Sequence, residues 1–158
     1  MADTMRAFLS SRHRWLLLLQ VALAAVLLLL SPRNSAADGD LVVVVNAQNG
    51  GNLDVVEVKK LFVGDTTFWS GNVPVKLFIR PADSPAAQAF FRAIQVAPSR
   101  FKRMWQEKQL SGAGNPPETI TDPGTLVAKI AGDPGGIGFA LSDELPAKPA
   151  GVRVITLH

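Results

Sequence analysis

The sequence contains no cysteine and no tyrosine, and its two histidines, His13 and His158, lie near its two ends. The missing thiols exclude disulfide bridges, thiolate metal sites and a lipidated cysteine. With no histidine between residues 14 and 157, no His-containing catalytic triad forms in the interior. No grouping of histidine with carboxylates has metal-ligand spacing. Gly135-Gly136-Ile137-Gly138 precedes an apolar run instead of following one, the wrong way round for a dinucleotide fingerprint. The residues point to no cofactor, no metal and no enzyme.

The mature part also lacks a charge excess. The formal net charge is +3, but Arg6, Arg12, Arg14 and Arg33 precede Asp38 against a single acid, Asp3. From Asp38 onward there are twelve bases and twelve acids. The basicity belongs to the leader, so nucleic acid is not an expected partner.

The leader has the parts of a secretory signal. Arg6, Arg12 and Arg14 form a positive head, and Trp15 to Leu30 is apolar except for Gln20. Ser31-Pro32 ends the run, and Ser35-Ala36-Ala37 supplies small residues for cleavage after Ala37. Residues 1–37 are read as the signal peptide and 38–158 as one periplasmic domain. The alternative is an uncleaved N-terminal anchor with the domain on the same side. Sixteen helical residues reach only about 24 Å, short of the ~30 Å hydrocarbon core, which favours cleavage.

The mature chain alternates strand and helix signals. Leu41 to Val45 is a β-branched run suited to a strand covered on both faces, closed by Asn46. Asn52 or Asp54 caps a helix from Asp54 to Phe62, which Gly64 stops. Pro74 to Arg80 alternates as a second strand. Helices follow over Pro85–Gln95 after Ser84, from Pro98 or Ser99 to Leu110, and over Asp122–Ala131. Gly136 to Ala140 and Val152 to Leu157 are the remaining strands. This order predicts an α/β domain, three-layered, with a small sheet that is mostly parallel or mixed and whose first two strands run parallel. Four strands make one lobe, not a two-lobed clamshell.

Several segments resemble the phosphate-type periplasmic solute-binding proteins. Val56 to Trp69 is similar to their helix followed by "IF-x-G-K" and a tryptophan. Arg80 to Phe90 resembles their arginine–serine anion-binding turn and helix. Trp105, Gly112-Ala113-Gly114 and Pro134 to Phe139 resemble the elements that follow, in the same order. The likeness runs from about Leu41 to Leu145 and matches the family's second lobe. It implies a periplasmic module that binds phosphate or a related oxyanion for an ABC transporter permease or a sensor. The chain departs from the family's R-x-D-x-S-G-T turn: Asp83 is shifted by one, and Pro85 and Ala86 replace Gly and Thr.

By this resemblance, Arg80, the Ser84 hydroxyl and the N–H groups of Ala86 and Ala87 converge on an oxyanion at a helix N-terminus. Asn46 and Gln48 lie nearby, and Asp83 accepts a proton from the anion or holds Arg80. The plain alternative makes Ser84 an ordinary cap and Arg80–Asp83 a surface ion pair. Trp69 and Trp105 are read as packing residues, with ligand platforms as the alternative. Arg92, Arg100, Lys102 and Arg103 form a solvated helix face or meet an acidic partner or lipid headgroups. A second hypothesis makes the domain an envelope interaction module that binds no ligand, with Phe68 and Trp69 exposed for docking. A homodimer that rebuilds a two-lobed cleft lies between the two.

Overall fold

The computed structural model describes residues 39–49, 51 and 53–157. The expected signal peptide, its cleavage site after Ala37 and Asn52 lie outside the described residues. Among the described residues, no helix is long and apolar enough to cross a membrane.

The β-branched run forms β1 (Leu41–Asn46), in which Val42 to Val45 are buried. Both faces are covered, which is why the run does not alternate with polar residues. Val43 and Val45 enter one core, and Val44 enters another on the opposite face. The sheet has five strands in the order β3-β2-β4-β1-β5. Its members are β2 (Lys76–Ile79), β3 (Glu118–Thr119), β4 (Gly136–Leu141) and β5 (Val152–Thr156). All six residues of β4, the central strand, are buried. Gly138 is required there: a Cβ would stand 3.0 Å from the Phe78 carbonyl oxygen and 3.0 Å from Ile130 Cδ1.

The sheet is mixed, and it corrects one expectation. β4 pairs antiparallel with β1, Val45 opposite Ile137, but parallel with β2, Leu77 beside Ile137. The first two strands therefore run in opposite directions. They are consecutive in the chain, yet β4 lies between them, and local pattern carries no record of that insertion. Strand β3 was not expected either. It holds two exposed residues, so it shows no apolar alternation, and it pairs with Phe78 and Ile79.

Helices α1 (Val55–Val63), α2 (Pro85–Ala93) and α3 (Pro98–Leu110) cover one face, and α4 (Pro123–Gly132) the other. Asp54 caps α1 by accepting from the Glu57 amide at 2.8 Å, and Gly64 ends it with φ 74°. The first core is aromatic: the Phe90 ring stacks on Phe139 at 3.9 Å between centroids, and Phe91 meets Phe101 edge-on at 5.2 Å. These contacts lock α2 and α3 onto the sheet. The three layers position the ends of β2, β3 and β4 along one sheet edge.

Candidate functional site

Arg80 follows β2 and is only 5% exposed. Its Nη1 donates to the Thr121 carbonyl at 2.5 Å, and its Nη2 donates to Glu144 Oε1 at 3.1 Å. Glu144 sits in a 3₁₀ turn (Ser142–Glu144) directly after β4, and its other oxygen accepts from the Leu141 amide at 3.1 Å. Arg80 thus ties together the ends of three neighbouring strands. The expected Arg80–Asp83 surface pair is not what forms: the partner is Glu144, and Asp83 is exposed. The Nε of Arg80 is buried without a hydrogen-bond partner.

Ser84 caps α2 from within. Its Oγ donates to the Pro81 carbonyl at 2.6 Å and accepts from the Ala87 amide at 3.2 Å. Pro85 has no N–H to offer, and Ala86 and Ala87 are fully buried. The Ser84 hydroxyl, the Ala87 amide and both Arg80 amino groups thus already have protein partners.

Asn46 and Gln48 are not part of this group. Continuing the two registers, Asn46 is level with Gly136 at the start of β4 and Arg80 with Ala140 near its end, roughly 13 Å away along the strand direction. The reversed direction of β1 is the reason. Asn46 is 4% exposed and does structural work: its Nδ2 donates to the carbonyls of Ile130 and Ala131, both at 3.0 Å, while its Oδ1 accepts from the Gln48 amide at 3.0 Å. It closes the C-terminus of α4 and starts the turn after β1. Gln48 is exposed.

Carboxylates crowd the edge where Arg80 lies. Asp83 follows β2, Asp122 follows β3, Asp143 and Glu144 follow β4, and Asp40 precedes β1, with the Ser142 amide donating to its carbonyl at 2.9 Å. The amide and hydroxyl of Thr125 hold the Asp122 carboxyl below its ordinary 3.8, with a lesser pull from Arg80. Such an edge disfavours a dianion.

Both tryptophans pack, as the first of their two readings has it. Trp105 is 7% exposed and its Nε1 donates to the Phe62 carbonyl at 3.0 Å; the Trp69 Nε1 donates to the Gly135 carbonyl at 3.0 Å. Phe68 is 52% exposed and borders an open groove of about 780 Å³ with Thr66, Val73 and Pro116. Sequence reasoning missed Glu144 as the partner of Arg80. The only local signal is its place three residues after a buried strand. Among the described residues, no group of three or more His, Asp and Glu side chains is arranged to hold a metal ion.

No protein-family model matches the sequence, and no curated protein matches it. Solved structures do share the fold. An ABC-type phosphate transport receptor from Vibrio cholerae aligns with TM-score 0.56 and 16% identity, over 75% of this chain and 46% of that one. A putative phosphate ABC transporter substrate-binding protein with bound phosphate from Clostridium perfringens aligns with TM-score 0.59 and 14% identity, over 75% and 45%. PstS from Borrelia burgdorferi aligns with TM-score 0.53 and 10% identity, over 75% and 47%. The chain therefore has the fold of a part of these substrate-binding proteins and spans less than half the length of each.

Proposed function

We propose that this chain is an exported, periplasmic module, built like part of a solute-binding protein, that serves an uptake or sensing system through contact with a membrane permease, a sensor or another envelope protein. It carries out no reaction, and it does not enclose a ligand by itself. One observation carries this reading: Arg80, the side chain that would meet an oxyanion, has both terminal amino groups bonded to Thr121 and Glu144 within an acidic sheet edge. A single lobe also leaves a small anion half in water, where binding is weak. Phe68 is the exposed aromatic that a partner would cover.

The test has two arms. Calorimetric titration with phosphate, sulfate and molybdate gives no saturable heat. A photo-crosslinking residue at Phe68, introduced in intact cells, gives one discrete adduct in the envelope fraction. Saturable heat at micromolar anion, or no adduct, overturns the reading.

A phosphate-binding role is the second reading. It is supported by the unpartnered Arg80 Nε and by the bound phosphate of the Clostridium perfringens neighbour. It requires the Arg80–Glu144 pair to open, with Ser84 turning its hydroxyl outward. Under this reading phosphate binding appears, and Arg80→Met abolishes it.

A further inference from the structure

The stretch from Pro85 to Gln106 holds four bases, Arg92, Arg100, Lys102 and Arg103, and no acid. The rest of the chain from Asp38 onward holds eight bases and twelve acids. The domain is neutral as a whole but strongly polarised. All four bases are exposed, in the last turn of α2 and the first half of α3, joined by residues 94–97. The buried sides of these helices are formed by Phe90, Phe91, Phe101 and Trp105, so Arg92, Arg100 and Arg103 point away from the sheet, while Lys102 borders a groove that Ile79 and Arg80 also line. The ion pairs among the described residues join other side chains: Lys76 to Asp133, Arg80 to Glu144 and Lys129 to Glu118.

One of these charges works against the helix that carries it: Arg100 stands in the first turn of α3, at the positive end of its dipole, where an acidic residue is the stabilising choice, and Lys102 and Arg103 follow in the second turn. The first turn has no acid, and Ala97 contributes no side-chain cap. Exposed Glu107, four residues after Arg103, partly balances that one charge. Arg92, Arg100 and Lys102 have no acid three or four residues away, so an anion outside the chain is the natural complement of the face. The bases form a spread-out face across two helices, not a pocket, which suits an extended anionic surface better than a small ion. Three of the four are arginines, whose guanidinium forks match phosphodiester oxygens. Leu110, two turns beyond Arg103 on the outer side of α3, is 88% exposed and stands ready to meet an acyl boundary.

We propose that the outer face of α2 and α3 lies against an anionic phospholipid surface, with lipid phosphodiesters as the ligands of Arg92, Arg100, Lys102 and Arg103. The inference does not rest on the reading given under Proposed function: it uses neither Phe68 nor the Arg80–Glu144 pair, although Lys102 borders a groove that Arg80 also lines.

The test is flotation of the full chain with two kinds of vesicle, phosphatidylcholine alone and phosphatidylcholine mixed with phosphatidylglycerol. The leader carries Arg6, Arg12, Arg14 and Arg33 and draws the chain to anionic vesicles by itself, so the preference is read after division by that of a peptide of residues 1–37. Each basic residue near an anionic surface contributes roughly a fivefold gain in affinity at low salt. We expect at least a tenfold preference for the phosphatidylglycerol vesicles, shrinking as salt is raised to about 0.5 M. The joint variant Arg92→Glu, Arg100→Glu, Lys102→Glu, Arg103→Glu loses the preference, and Arg92→Lys, Arg100→Lys, Arg103→Lys retains most of it. Thermal unfolding of each variant checks the fold. Should the fourfold reversal fail to fold, the single variants Arg92→Glu and Arg103→Glu each reduce the preference severalfold. Equal binding to both vesicles, or a preference that survives charge reversal, overturns the proposal and leaves an acidic protein as the complement of this face.

Discussion

Arg80 and Glu144, 64 residues apart, meet at 3.1 Å and fasten the end of β2 to the end of β4. The guanidinium is 6% exposed and the carboxylate 23%, so water screens the pair only from the glutamate side. Removing one partner leaves a charge with poor hydration. Glu144→Gln is expected to cost about 2–3 kcal/mol, somewhat below a fully buried pair. Arg80→Met combined with Glu144→Leu is expected to cost less than the sum of the two single changes, by about 1 kcal/mol or more. Urea unfolding of the four variants, Glu144→Gln, Arg80→Met, Glu144→Leu and the double, measures both quantities.

Gln95 ends α2 with φ 55°, a left-handed conformation in which glycine has no steric penalty. Its amide donates to the Arg92 carbonyl at 3.2 Å, and its side chain is exposed. Gln95→Gly is expected to stabilise the domain by about 0.5–1 kcal/mol, read as a raised midpoint in thermal unfolding.

Gly138 admits no side chain without displacing its neighbours. The Phe78 carbonyl oxygen and Ile130 Cδ1 would lie 3.0 Å from a new Cβ, and Leu126 Cδ1 would lie 3.1 Å from it. Gly138→Ala is expected to destabilise by roughly 1–3 kcal/mol, because α4 must move off the sheet. Chemical denaturation together with the near-ultraviolet circular dichroism of the folded baseline tests this.

Asp122 caps α4 through the Thr125 amide at 2.6 Å, and hydrogen bonding lowers its pKa below the ordinary 3.8. A carboxyl whose folded pKa is depressed contributes stability above its unfolded pKa and loses it as pH falls through the folded one. The contribution is therefore full near neutrality and fades below about pH 4. Asp122→Asn keeps a capping acceptor and removes that pH dependence. Thermal midpoints from pH 6 to pH 2 should converge for the two proteins at the acid end.

Much of the fold was legible because each element carries its own local signal. The valine run at 42–45, Ser84-Pro85 at a helix start and Asp54 before α1 place their elements within a residue or two of the observed ends. Directions and neighbours were not legible, since the insertion of β4 between β1 and β2 depends on pairing across ninety residues. That one misreading moved Asn46 and Gln48 to the wrong edge. Local motif matching singled out Arg80 and Ser84, four residues apart in the chain. It could not reveal that Arg80 is neutralised by Glu144, because no short-range pattern links residue 80 to residue 144.

The central strand is also among the last to be made. Until residues 136–141 leave the ribosome, β1 has no neighbouring strand and β2 has only the two-residue β3 to pair with. A chain that ends before residue 136 lacks the last 23 residues and with them the strand that joins β1 to β2, so closure of the sheet waits on long-range pairing. Truncation before residue 136 is therefore expected to leave an open chain instead of a smaller domain.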